Sequence, residues 1–125
     1  MSEIAGIEQV ARWQDEITTY NNNQVRPRLE QALGLHRTEK ELEVYTTVVS
    51  MGRESGDRGR FCIGITSTIT VPIGVDPSRV AGLLMEEVNS VIKNFFSGHA
   101  ANKASLVATG YQDILAASSI VYLNN

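Results

Sequence analysis

The chain has 125 residues, 42% of them apolar, and a net charge of −3; this suits one domain with a modest core and excludes a disordered chain. No run approaches the roughly 18 apolar residues of a membrane-spanning helix. One cysteine, Cys62, excludes an internal disulfide or a cysteine metal knuckle, and the mild acidity argues against nonspecific nucleic-acid binding without excluding a locally basic face.

The amino terminus, MSEIAGIEQV, carries Glu where a signal peptide carries Lys or Arg, so the protein is expected to stay where it is made. Over residues 1–24, Ile7, Val10, Ala11 and Ile17 suit a helix, while Trp13, Asp15, Ile17 and Thr19 suit a strand. Asn21-Asn22-Asn23 signals a turn, and short strands and turns are the expectation here. Residues 25–36 allow two readings. As a strand, Arg26 and Arg28 share a face with Glu30; as a helix, Val25, Leu29, Ala32 and Leu33 cluster.

Glu41 to Ser50 predicts a strand, rich in β-branched and aromatic residues. Leu42, Val44, Thr46 and Val48 face one side; Glu41, Glu43, Tyr45, Thr47 and Val49 face the other. The charged, glycine-spaced run Gly52 to Arg60 then predicts a hairpin tip.

Phe61 to Val71 alternates most clearly. Phe61, Ile63, Ile65, Ser67, Ile69 and Val71 form a largely apolar face, opposite Cys62, Gly64, Thr66, Thr68 and Thr70. Pro72 ends the ladder, and Asp76-Pro77 starts a helix. Val80, Leu84, Val88, Val91, Ile92, Phe95 and Phe96 recur at helical spacing, widened by Leu83 and Met85, up to Gly98. The stripe is wide enough that a second subunit is expected to help cover it. A shorter helix is expected over Ala101 to Thr109, then a tail with strand character at Ser119 to Leu123.

No residues read as catalytic. His36 and His99 lack a partner at metal-ligand spacing, Glu86 and Glu87 read as a solvated face, and the Gly52 to Arg60 loop lacks the ending of a phosphate loop. Cys62 reads as a small packed residue. What stands out is the sheet face opposite the helix, with Tyr45, Thr47, Thr66 and Thr68, joined by Arg26 and Arg28 if residues 25–36 form a strand. Hydroxyls, a ring and guanidiniums are a set that can contact RNA.

The succession RPRLEQAL, LEVYTTVV, a loop, RFCIGITSTITVPIG and DPSRVAGLLMEEVNSVIKNFF resembles the coat proteins of single-stranded RNA (levivirus-type) bacteriophages over residues 25–110. The resemblance implies an α+β fold, an antiparallel sheet followed by two C-terminal helices, with two subunits interlocked through the helix that carries Val80 to Phe96. It implies a capsid protein that forms a homodimer and then an icosahedral shell around single-stranded RNA, in a virion assembled in the host bacterial cytoplasm. RNA would meet Arg26, Arg28, Tyr45, Thr47, Thr66 and Thr68, and Gly52, Arg53, Gly56, Arg58 and Gly59 would form an inter-dimer loop. No enzyme activity, metal, cofactor, small-molecule substrate or membrane enters this picture. Residues 111–125 remain as an extra tail, and Glu41 and Glu43 sit on the inward face, against hairpin-specific binding.

SLVATGYQD followed by SSIVYL also resembles phage tail-terminator proteins, which close the end of a tail tube as a hexameric ring. That resemblance implies an early helix before the strands, a helix packed on the sheet and a closing final strand. It also favours helices over 5–20 and 25–34.

Overall fold

The computed structural model describes residues 7–34, 43–53, 61–71, 73–107, 109 and 113–123. The chain opens with α1 (Ile7–Tyr20), a π-helical segment (Asn21–Val25) and α2 (Arg26–Ala32). A hairpin of β1 (Val44–Arg53) and β2 (Phe61–Thr70) follows, then α3 (Pro77–Phe95), β3 (Ala100–Ala101), β4 (Ser105–Val107) and β5 (Ile114–Leu123). The expected order, a sheet followed by two C-terminal helices, is overturned: helices come first, one helix follows β2, and the chain returns to the sheet.

The strands and turns expected at the amino terminus are helical because Val10, Trp13, Ile17 and Tyr20 recur every three or four residues and turn into the core. Trp13 meets Phe96 edge to face at 4.9 Å, and Tyr20 meets Phe95 at 5.5 Å. The asparagine triplet does not break the helix. Asn21 turns inward and donates to Thr46 Oγ1 at 2.6 Å, and Thr46 bonds Ser67 Oγ at 2.6 Å, so a buried polar chain pins the wide turn to the sheet. Residues 26–32 take the helical reading, with Pro27 in the first turn, Leu29 fully buried, and Gly34 at φ 72° ending the segment.

β1 and β2 pair antiparallel, Val44 opposite Ile69 and Val49 opposite Gly64, with a bulge between Ser50 and Gly52. β5 pairs with the whole other side of β2, from Phe61↔Leu123 to Thr70↔Ile114. The second helix expected over Ala101 to Thr109 is replaced by β3 and β4, which run in turn along the far edge of β5. Asn102 ties this edge down: its N–H donates to Ile120 O at 3.0 Å, and its carbonyl accepts from Ser119 Oγ at 2.6 Å. Tertiary pairing here overrides a composition that suits a helix. Residues 114–123 of the supposed tail form an interior strand.

α3 starts where expected: Asp76 Oδ1 accepts from the Ser78 N–H at 3.1 Å. Its stripe lies over β2 and β5, where Ala117 and Ser119 are small enough to let the helix approach. Val80, Leu84, Val88, Val91 and Phe96 are at most 1% exposed within one subunit, and Ile92 and Phe95 are partly buried against the same core. The stripe therefore does not need the second subunit expected to cover it: the chain's own sheet and α1 do so.

Candidate functional site

The described helices pack on one face of the sheet; the opposite face is partly exposed, although Cys62 and Ala116 on it are buried. β1 presents Tyr45, Thr47, Val49 and Met51 there; β2 presents Gly64, Thr66 and Thr68; β5 presents Ser118, Ile120 and Tyr122. Alternation put Tyr45, Thr47, Thr66 and Thr68 on this face correctly, because a strand with one buried face has its other face fixed by parity. Gly64 matters by lacking a side chain: a Cβ there would lie 3.1 Å from Met51 Sδ and 3.4 Å from Val49 Cγ2, so both side chains lean across the bare backbone.

The six proposed RNA contacts are not brought together. Arg26 and Arg28 belong to α2, in the helical layer behind the sheet. Arg28 Nη1 reaches 2.9 Å to Glu87 Oε1 on α3, and a bond with Tyr20 together with the Glu87 charge holds its guanidinium above its ordinary pKa. Glu87 is buried, not solvated as expected; burial pushes its carboxyl up, Arg28 pulls it back, and Glu86 adds to the rise. Spacing in sequence could not announce a pair 59 residues apart.

The ten open-face residues named above carry no charge, but the exposed Glu43, next in alternation before Tyr45, brings a carboxylate to the border of the face. Hydroxyls occupy part of the middle of the face; of the exposed apolar side chains, Val107 lies on this face with Tyr45, Val49 and Met51, whereas Leu106, opposite the core residue Ala117, lies on the helix-bearing face. Tyr45, Val49 and Met51 on β1 and Leu106 and Val107 on β4 are 43% to 63% exposed. Among the described residues such a surface offers hydroxyl and aromatic contacts but no cation for a phosphate.

The margins differ in their backbone. β1 is an edge strand, but Gln14 of α1 occupies part of it: its Nε2 donates to Thr46 O at 2.6 Å, and its Oε1 accepts from the Val48 N–H at 2.7 Å. One carboxamide thereby imitates a neighbouring strand. Sequence reasoning missed this residue, since a glutamine on a helix carries no signal of a strand 32 residues away. The opposite margin, β4, is exposed at all three residues.

Of the loop proposed to join dimers, Gly52 and Arg53 end β1, while Gly56, Arg58 and Gly59 lie outside the described residues, as does His36. Cys62 is buried in β2. Among the described residues no group of three His, Cys, Asp or Glu could hold a metal, and no helix is long and apolar enough to cross a membrane. No protein-family model, curated protein or solved structure matches this chain.

Proposed function

We propose that this chain is a self-assembling structural subunit of a bacteriophage particle, of the tail-terminator kind: copies join side by side into a ring of about six that closes a tail tube. The observation that carries the reading is the order of elements. An early helix precedes a strand hairpin, a helix packs on the sheet, and the last strand, β5, enters beside β2. That is the order implied by the tail-terminator resemblance. The icosahedral shell drew its support from a sheet followed by two helices and from arginines on the open face, and neither supports it now. In this reading the protein belongs to the virion and is assembled in the host bacterial cytoplasm, and its partner is itself.

Electron microscopy and sedimentation of the purified chain test the proposal. Uniform small rings with a protein-like ultraviolet spectrum are expected. Closed shells absorbing strongly at 260 nm would restore the coat reading, and a monomer at high concentration would overturn both.

A further inference from the structure

We infer that α2 is a proton-gated flap: it lies closed on α3 while Glu87 carries a proton and lifts once Glu87 is charged. The flap works within one chain and does not depend on ring assembly. Its hinge is the wide turn before α2. Arg26 donates its N–H to Asn21 O, five residues back, and Pro27 has no N–H to give, so the ladder joining α1 to α2 is interrupted where α2 begins. A seven-residue helix is not stable alone, so α2 keeps its place through what it touches. Leu29 is its buried peg. Two arginines clasp it in opposite directions: Arg28 reaches from α2 to Glu87, and Arg79 reaches from α3 to Ala32 O at the far end of α2.

Glu87 decides when the flap is closed. Arg28 meets one of its oxygens, Oε1, at 2.9 Å, while Oε2 is buried with no hydrogen-bond partner among the described residues. The half-exposed Arg28 is shared, since it also bonds Tyr20, whose hydroxyl already has Ser90 and Asn94 as partners. Among the described residues, the groups facing Glu87 are Arg28 on α2, Tyr20 of α1 beside it, and Glu86 on α3 itself. One contact with a shared arginine does not repay the burial of a carboxylate, and Glu86 adds repulsion.

The sign of the switch follows. With α2 closed, burial pushes the Glu87 carboxyl up; with α2 lifted, the carboxyl meets water and titrates in the ordinary range. The closed state therefore binds the proton more tightly. Closure is strongest below the ordinary carboxylate pKa and weakens as pH rises through the raised one. A plain salt bridge has the opposite sign, because it fastens only when its carboxylate is charged.

Hydrogen exchange of the full chain, read by mass spectrometry from about pH 4 to about pH 8 and corrected for intrinsic rates, tests the flap. The amides of residues 28–34 are expected to open ahead of those of β2 and β5. Their opening should rise with pH by up to about tenfold per unit while Glu87 titrates, then level off. Glu87→Gln is expected to flatten this rise, and Arg28→Met to carry it to higher pH. The parent alone reads the sign, whether or not either variant folds. Opening that increases toward acid, or stays flat in the parent, overturns the inference. So does exchange of residues 28–34 only together with β2 and β5, or a pH dependence that survives Glu87→Gln.

Discussion

Gln14 satisfies one donor and one acceptor of an edge strand with a single side chain. Removing it leaves two partly buried backbone groups without their partner, at about 1–3 kcal/mol each when no water replaces it. Gln14→Ala is expected to lower the urea midpoint at unchanged slope and to raise light scattering, because the bared edge recruits other strands. An unchanged midpoint would show that the carboxamide is dispensable. Glu87 makes a pH prediction. Its carboxyl titrates above its ordinary value because burial outweighs the Arg28 charge, and its Oε2 is buried with no hydrogen-bond partner among the described residues. The folded state therefore holds the proton more tightly than the unfolded state. The associated stability is fully present below the ordinary carboxylate pKa and is lost as pH rises through the raised one. Relative to Glu87→Gln, the parent should lose stability across that window and run parallel above it. Arg28→Met should widen the loss, since it removes the charge that pulls Glu87 back. Urea unfolding at a series of pH values decides this, and a gap that narrows with rising pH would refute the sign.

Among the elements, β5 has most depending on it. It pairs with β2 along ten residues on one side and with β3 and β4 on the other, and Ala117 and Val121 form part of the floor under α3. Ending the chain after Asp113 removes the middle of the sheet and bares β2. The truncated chain is expected to show no cooperative unfolding transition and to aggregate. Cooperative unfolding of that truncation would return residues 114–123 to the status of a tail. The helical layer is less centralised. α1 is held to β1 through Gln14, to α3 through Trp13, Tyr20 and their aromatic partners, and the π-helical segment is held through Asn21.

For the whole molecule, net charge sets the response of assembly to salt. Copies that each carry a net charge of −3 repel one another, and salt shortens the reach of that repulsion from about 10 Å at 0.1 M to about 3 Å at 1 M. Ring assembly should therefore strengthen with salt, seen as a lower dissociation concentration in sedimentation. A particle held by RNA responds in the opposite direction, because phosphate contacts weaken as salt rises. Dissociation by salt would count against the ring reading.

The sequence by itself determined what depends on neighbours within a few residues. Alternation from Phe61 to Ile69 assigned the buried and open faces of β2, and with them Thr66 and Thr68. Asp76-Pro77 marked the start of α3, and a glycine-rich run between two strands marked the hairpin. Tertiary structure decided whatever depends on a distant partner. Asn21 lies in a helical turn because Thr46 accepts its bond, Arg28 lies behind the sheet because Glu87 awaits it on α3, and Ala100–Ala101 and Ser105–Val107 are strands because β5 offers its edge. Periodicity reports which side of an element is apolar. Which element covers that side is settled by packing among residues tens of positions apart, and here the cover proved to be the chain's own sheet.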